Sequence, residues 1–365
     1  MGFQCGIVGL PNVGKSTLFN ALTRTVAAQA ENFPFCTIEP NVGNVFVPDS
    51  RLDDIAKLSN SRDIIPTRMT FVDIAGLVKG ASQGDGLGNQ FLGHVREVDA
   101  IVHVVRCFED DDIVHVSGKI DPIADIEIIE TELMLADLQS ISKRLQKKGK
   151  KQNSQAFSSA KQAELLENAQ EILDMGKPAS SVQVADSDQD LWKSLQLITA
   201  KPTIYVCNVS EDCVAAGNSL SSLVQEMARE KNIGSLYISA AIEAEISQLD
   251  QSEHGLFLKE MGLETSGLDR MIAEGYRLLD LATYFTAGPK ETRAWTIPKG
   301  YRAPQAAGVI HGDFERGFIR AETISFEDFM KYNGDTGARE NGRVRLEGKD
   351  YIVQDGDIML FRFSV

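Results

Sequence analysis

The sequence predicts an α/β fold, in which a mostly parallel sheet carries helices on both faces, an α-helical hairpin is inserted, and a small α+β module follows. Three patterns in the 365 residues support this prediction. Short apolar runs alternate with helical stretches, as expected of an open α/β sheet. This alternation stops between about residues 125 and 200, and short strands with turn residues dominate after about residue 280.

Six apolar runs have the length and composition of buried strands in a parallel sheet. Helical stretches separate them, as expected when each connection must cross back over the sheet. The runs lie near residues 3–9, 42–47, 68–73, 99–107, 203–207 and 235–239.

The interrupting region shows apolar residues at helical spacing in two successive runs. Gly176 and Pro178 end the second run. The turn between the runs contains K-K-G-K-K-Q-N, which predicts an antiparallel hairpin with a basic tip. Such a tip is either a solvated helix end or a contact for the phosphates of RNA. Its cationic residues are Lys143, Arg144, Lys147, Lys148, Lys150 and Lys151.

These patterns divide the chain into three parts. We expect residues 1–130 and 202–280 to form the α/β domain, residues 131–201 the helical insertion, and residues 281–365 the C-terminal module. Within the module, A-P-Q-A-A-G-V-I-H is predicted to be the one helix. The segments predicted to be strands are T-Y-F-T-A-G-P, R-A-W-T-I-P, F-I-R-A-E-T-I and D-I-M-L-F-R-F.

The composition limits the classes of function. A net charge of -15 argues against nucleic-acid binding over the whole surface, because phosphate binding requires clustered Lys and Arg, so any RNA contact should be local. No window has the roughly 20 apolar residues of a membrane span. The five cysteines and five histidines are dispersed without metal-ligand spacing, which indicates reduced core thiols of a cytosolic protein rather than a His or Cys metal site.

A phosphate-binding loop is predicted at residues 9–16, G-L-P-N-V-G-K-S, which fit G-x-x-x-x-G-K-[ST] between a predicted strand and a predicted helix. In such a loop the glycines let backbone N–H groups surround phosphates, the lysine neutralises β- and γ-phosphate oxygens, and the serine hydroxyl binds Mg²⁺. The predicted nucleotide contacts are Asn12, Val13, Gly14, Lys15, Ser16 and Thr17.

Two further segments supply switch elements. D-I-A-G follows the strand R-M-T-F-V-D, which places Asp73 where a carboxylate can hold Mg²⁺ and Gly76 where its N–H can sense a γ-phosphate. Thr37, in F-P-F-C-T-I-E-P, is the candidate switch ligand for Mg²⁺, with a plain surface threonine as the alternative. The predicted metal ligands are therefore Ser16, Thr37 and Asp73.

The loop N-V-S-E at the end of the fifth predicted strand is expected to read the base through Asn208, Val209 and Glu211. A guanine-specific loop has Asn, Lys, any residue and Asp, and the Asp accepts from N1–H and the 2-amino group of guanine. Adenine presents an acceptor at N1, so a carboxylate there would oppose a lone pair. Asn208 can still serve N7 and the 6-amino group.

Val209 in place of Lys removes a stem that would pack along guanine and leaves backbone able to meet adenine. We therefore expect ATP to be preferred over GTP. The alternative is a loop that has merely lost specificity, since one polar mismatch discriminates only modestly. Ser239 and Ala240, in S-A-A-I-E, should touch the base through their backbone.

The sequence indicates the catalytic residues less clearly than it indicates the phosphate and metal ligands. Leu77 stands after D-I-A-G, where a Gln often orients the attacking water, so intrinsic hydrolysis should be slow. Besides Lys15, two groups are candidates for catalysis. Asn12 matches a residue that holds a monovalent cation in potassium-dependent switches, and His115 follows the acidic run 109–112, which favours its protonated form. An ordinary loop histidine is the alternative reading of His115.

The motifs resemble those of the translation-factor-related P-loop GTPases and, more closely, of the Obg-like ATPases, the YchF group. The resemblance covers essentially the whole chain and rests on G-L-P-N-V-G-K-S-T, N-F-P-F-C-T-I-E-P-N, D-I-A-G-L-V-K-G-A-S-Q-G-D-G-L-G-N, F-E-D-D-D-I-V-H-V, N-V-S-E and W-T-I-P-K-G-Y. It implies a P-loop G domain that binds ATP and Mg²⁺, a helical insertion, and a C-terminal ubiquitin-like β-grasp module called TGS.

The resemblance also implies the ribosome as partner, approached through the helical insertion and the TGS module. The expected function is a cytoplasmic, monomeric, ATP-hydrolysing switch that regulates translation or stress responses, with neither membrane attachment nor DNA specificity. The alternative is a nucleotide-gated binder of RNA or ribosomes that accepts ATP or GTP and has a negligible catalytic role.

Overall fold

The computed structural model describes residues 3–30, 41–74, 87–110, 112–113, 118–150 and 160–364. The chain forms two compact units, the first from Met1–Val45 and Thr70–Met271 and the second from Phe46–Met69 and Ile272–Val365. Among the described helices, none combines the length and the apolar character needed to cross a bilayer.

The strands follow one another along the chain as β1 Gln4–Val8, β2 Val42–Phe46, β3 Asp63–Ile65, β4 Arg68–Asp73, β5 Ala100–Arg106, β6 Thr203–Asn208, β7 Gly234–Ile238, β8 Leu281–Ala287, β9 Glu291–Pro298, β10 Phe318–Ile324, β11 Arg345–Glu347 and β12 Ile358–Phe363. The helices are α1 Lys15–Ala30, α2 Ser50–Ser59, α3 Leu87–Glu97, α4 Pro122–Lys150, α5 Ala160–Asp174, α6 Gln189–Ser194, α7 Ser219–Glu230, α8 Ala240–Ile246, α9 Gln251–Glu260, α10 Gly267–Leu278, α11 Ala303–Ile310, α12 Gly312–Arg316, α13 Phe326–Lys331 and α14 Asp335–Glu340.

The first unit contains a sheet of order β2-β4-β1-β5-β6-β7, in which the neighbours from β4 to β7 pair in parallel. All six strands predicted for this sheet are present, so the predicted α/β class is confirmed. Strand β5 is buried along its whole length, as expected for a central strand covered on both faces. Because the strands are parallel, the chain segments that follow β1, β4, β5, β6 and β7 meet at one edge of the sheet.

The helical hairpin is formed by α4 and α5, although α4 begins at Pro122 rather than near residue 131. Their shared core contains Ile141, Leu166 and Leu173. Arg144 was predicted to belong to the basic tip, but it is half-buried and donates from Nη1 to the Leu195 carbonyl at 2.7 Å. This residue therefore anchors the hairpin to the chain that follows it. Residues 151–159, in the predicted turn, lie outside the described residues.

The second unit contains a mixed sheet of order β11-β10-β12-β8-β9-β3. Residues 46–69, which we expected in the first domain, belong to this unit together with Ile272–Val365. Strand β3 pairs with β9, and α2 places Leu52 and Ile55 in a core with Phe285. A pairing between segments more than 200 residues apart has no local sequence signal, which is why these residues were assigned to the first domain.

The predicted C-terminal strands are present as β8, β9, β10 and β12, and the predicted helix is α11. The prediction of a single helix in this region is wrong, because α12, α13 and α14 follow α11. Each of these helices has only five or six residues. A segment that short contains too few apolar residues to show a helical period in the sequence.

Candidate nucleotide-binding site

The loop between β1 and α1 has the backbone geometry that its glycines permit. Gly14 has a φ of +92° and Asn12 a φ of +64°, both in the region that L-residues with larger side chains avoid. A Cβ atom on Gly9 would lie 2.7 Å from the carbonyl oxygen of Val104. The glycines of G-L-P-N-V-G-K-S thus allow the loop to turn tightly against β5 and to begin α1 at Lys15.

Lys15 and Asp73 meet although 58 residues separate them in the sequence. The Nζ atom of Lys15 donates to the Asp73 carboxylate, and the two side chains are 9% and 15% exposed. The end of β4 and the start of α1 thus place a predicted phosphate ligand against a predicted metal ligand. Because the pair is mostly shielded from water, its attraction is stronger than that of a surface ion pair.

The oxygen donors near this pair suit a hard cation. Ser16 lines the same cavity as Lys15, and its hydroxyl and the Asp73 carboxylate are ligands of the type that Mg²⁺ prefers. Within the part of the chain that the structure describes, no cluster of three or more His, Cys, Asp or Glu side chains could hold a metal by itself. Mg²⁺ bound here would therefore share its coordination with substrate phosphates and water.

Asn208 joins the phosphate loop to the segment that follows β7. Its Nδ2 donates to the Val13 carbonyl at 2.9 Å, and its Oδ1 accepts from the Ala240 N–H at 2.9 Å. The predicted double contact of Asn208 with N7 and the 6-amino group stays a prediction, because Oδ1 keeps a second lone pair that can accept a hydrogen bond. One Nδ2 hydrogen remains for a base, since an amide group carries two donors.

Val209 lines the nucleotide cavity, but its side chain is buried, so only its backbone is available to a base. Its side chain is 2% exposed and packs in a core with Cys107 and Val224. Its N–H already donates to the Ile238 carbonyl at 2.8 Å, so this group is not a donor for adenine N1. The predicted contact of the Val209 backbone with adenine is therefore left to a group other than this N–H, and it stays a prediction.

A cavity of about 1020 Å³ opens between these segments. Its lining includes the predicted residues Asn12, Gly14, Lys15, Ser16, Thr17, Asn208, Val209, Glu211, Ser239 and Ala240. Four more lining residues, Leu10, Pro11, Ser210 and Ala241, lie inside motifs that the sequence had already indicated, whereas sequence reasoning missed Phe108, Glu109, Asp110, Ile113 and Asp212. One signal pointed to them, because F-E-D-D directly follows β5, whose neighbour β6 ends at the same sheet edge.

Ser239 and Ala240 lie where the sequence placed them, at the turn into α8. Ser239 is buried and its hydroxyl accepts from the Ile242 N–H at 3.5 Å, which caps the helix. Four predicted residues, Thr37, Gly76, Leu77 and His115, lie outside the described residues. Their roles stay predictions.

The chain is similar over its whole length to proteins called ribosome-binding ATPase YchF. It is 53% identical to the protein of Bacillus subtilis (strain 168), 54% to that of Haemophilus ducreyi and 53% to that of Escherichia coli O157:H7, with 100% of each chain covered. The chain belongs to the YchF family. Residues 4–129 also match a family described as 50S ribosome-binding GTPases, and residues 281–364 match the YchF GTPase C-terminal family, described as a protein of unknown function.

Among solved structures, the YchF GTPase of Schizosaccharomyces pombe has the same fold as this chain. The TM-score is 0.88 at 37% identity, over 99% of this chain and 98% of that chain. The resemblance inferred from the motifs is thereby confirmed, as is the P-loop fold with its C-terminal module. YchF relatives carry both ATPase and GTPase in their names, so the names leave the choice of base to be argued from the site.

Proposed function

We propose that this YchF chain is a Mg²⁺-dependent ATPase of the cytoplasm that binds ribosomes and changes this contact with its nucleotide state. The observation that carries the proposal is the contact between Lys15 and Asp73 at a cavity that also reaches Asn208. This cavity has phosphate-binding groups at one end and proposed base-binding groups at the other, and its volume of about 1020 Å³ lies at the upper end of the range for small-molecule pockets.

In the proposed reaction, water attacks the γ-phosphate of ATP. Lys15 leaves Asp73, binds the phosphate oxygens and absorbs the negative charge that develops on them. Ser16 and the freed Asp73 carboxylate hold Mg²⁺, which when bound neutralises further charge on the phosphates. Asn12 and His115 are proposed to assist, the first by holding K⁺ near the phosphates and the second by acting on the attacking water.

Adenine is the base that the proposal favours. The second Nδ2 hydrogen of Asn208 is proposed to donate to N7, which adenine and guanine share, so discrimination must arise at N1, C2 and C6. The residue that would replace the guanine-reading Asp is Glu211, one methylene longer, and the relatives of 53–54% identity are named ATPases. One observation favours the alternative of a nucleotide-gated binder that also accepts guanine, because the carboxylates of Glu211 and Asp212 both line the cavity.

Competition binding between ATP and GTP tests the choice of base. We expect ATP to bind about tenfold more tightly, because one mismatched polar contact costs about 1–3 kcal/mol. This experiment uses the unmodified chain rather than a variant of the base-reading loop. Val209→Lys, the obvious substitution toward a guanine-reading loop, would place a cation in the core beside Cys107. Tighter binding of GTP than of ATP would refute the adenine assignment.

Coupling to the helical insertion has a physical route. Lys201 Nζ donates to the Arg96 and Val98 carbonyls at the end of α3, the helix that follows the D-I-A-G segment. Arg96 in turn donates to the Ala136 carbonyl of α4 at 3.5 Å. The next residue, Asp137, accepts from the backbone N–H groups of residues 198 and 199 at 2.9 and 2.8 Å. A shift of α3 on nucleotide binding would therefore move its partners in α4 as well.

Ribosome binding is proposed from the names of the relatives and from the basic residues toward the end of α4, of which Lys143 is exposed. Co-sedimentation with ribosomes across a salt series tests it. Substituting Lys147, Lys148, Lys150 and Lys151 with alanine should weaken co-sedimentation and flatten its salt dependence. Each lost phosphate contact reduces the number of counterions that are released on binding. ATP affinity should not change. Unaltered co-sedimentation would assign these lysines to solvated surface.

A further inference from the structure

Arg106, the last residue of β5, is a buried cation whose hydrogen bonds converge on one segment of chain. Its side chain is 1% exposed. Nε donates to the Phe108 carbonyl at 3.2 Å, Nη1 to the Ile113 carbonyl at 2.8 Å and Nη2 to the Asp110 carbonyl at 3.1 Å. The guanidinium carbon also lies 4.6 Å from the centre of the Phe108 ring. One side chain thus holds three carbonyls and one ring of the chain that follows it.

The same segment forms one wall of the nucleotide cavity. Phe108, Asp110 and Ile113 all line it, and their segment follows β5, the neighbour of the strand that precedes the phosphate loop. A second, partly buried donor supports the start of the wall, since Asn218 Nδ2 donates to the Cys107 carbonyl at 2.6 Å. The Cys107 N–H donates to the Asn208 carbonyl at 2.8 Å, which ties the wall to the base-reading loop.

We propose that Arg106 is a positioning residue that holds Phe108, Asp110 and Ile113 as the wall of the base-binding end of the cavity. It thereby sets the affinity for the nucleoside part of the substrate and leaves the affinity for the triphosphate part unchanged. The inference rests on the proposed nucleotide-binding function but not on the choice between adenine and guanine.

Arginine is suited to this task for a physical reason. A buried charge is costly unless its hydrogen-bonding groups are satisfied, and the planar guanidinium presents five donors in a fixed fork. Three carbonyl oxygens arranged around that fork can satisfy it only while the segment keeps its present shape. Lysine has the charge but a single nitrogen on a flexible stem, so it cannot hold three separated carbonyls and stack on Phe108 in the same way.

Calorimetric binding of three ligands to the full chain tests the proposal: ATP, GTP and inorganic tripolyphosphate, which has the phosphates without the nucleoside. Arg106→Lys should weaken binding of the preferred nucleotide about tenfold, as expected when charged hydrogen bonds at a site are lost, with tripolyphosphate affinity unchanged. Arg144→Lys is the matched control, because it disrupts another arginine-to-carbonyl bond of the first unit outside the cavity. It should leave all three affinities as they are.

A comparison of single and double variants tests whether Arg106 acts through Phe108. If Arg106 acts through Phe108, the loss of nucleotide affinity in Arg106→Lys combined with Phe108→Leu should be smaller than the sum of the losses in the two single variants. Equal losses for nucleotide and tripolyphosphate, strictly additive losses, or an Arg106→Lys chain that does not fold would each show that Arg106 serves the core in general and would overturn the proposal. A wild-type preference for GTP would refute only the adenine assignment.

Discussion

Replacement of Lys15 by methionine should reduce ATP hydrolysis by about 100-fold or more, the loss typical of removing one group that stabilises charge in a transition state. Methionine keeps much of the length and apolar surface of the lysine stem but has no charge. It therefore removes both the contact with Asp73 and the predicted contact with the phosphates. Phosphate release under saturating ATP and Mg²⁺ measures the effect, and equilibrium binding shows how much of it arises before the chemical step.

Lys231→Met is the control for this variant. Lys231 also pairs with a carboxylate in the first unit, that of Glu130 at 2.7 Å, but it does not line the nucleotide cavity. Hydrolysis by Lys231→Met should remain near that of the unmodified chain. If Lys15→Met retained hydrolysis within a few-fold of the unmodified rate, the assignment of Lys15 to the phosphates would have to be abandoned.

Gly14→Ala should lower ATP affinity at least tenfold and reduce thermal stability. An alanine Cβ at this position would lie 2.2 Å from Asn208 Nδ2, and the backbone φ of +92° is unfavourable for any residue with a Cβ. Relief of the clash requires Asn208 to move away from the Val13 carbonyl, to which it donates. Loss of that hydrogen bond costs about 1 kcal/mol beyond the backbone strain. It also separates the phosphate loop from the segment that follows β7.

Gly176→Ala isolates the steric part of this effect. Gly176 has a φ of +73°, but a Cβ there would meet no atom within 4 Å. Both variants therefore pay a backbone cost of about 1–2 kcal/mol, and only Gly14→Ala displaces Asn208. Thermal denaturation with and without ATP distinguishes them. An equal fall in midpoint for the two variants, together with unchanged ATP affinity in Gly14→Ala, would show that the contact between Gly14 and Asn208 has no role in the site.

Much of the site could be inferred from short stretches of sequence. The phosphate loop could be located because the two glycines, the lysine and the serine that it requires all stand within the eight residues G-L-P-N-V-G-K-S. The strand, loop and helix that present these residues are consecutive in the sequence. The six strands of the first sheet could be located for the same reason, since an apolar run of five to seven residues already has the character of a buried strand. Asp73 was placed by its position at the end of one of these strands.

The sequence by itself determined the elements and the chemistry of the phosphate end of the cavity. Only the tertiary structure decided how the base end is built. The Val209 side chain lies in the core because it packs there with Cys107 and Val224. Arg106 holds the wall of the cavity because three backbone carbonyls accept its hydrogen bonds. Strand β3 joins the second unit because it pairs with β9. Each of these outcomes depends on atoms brought together by folding. Such contacts cannot be inferred from residue spacing along the chain, because their energies arise only when the partners have been packed together and removed from water.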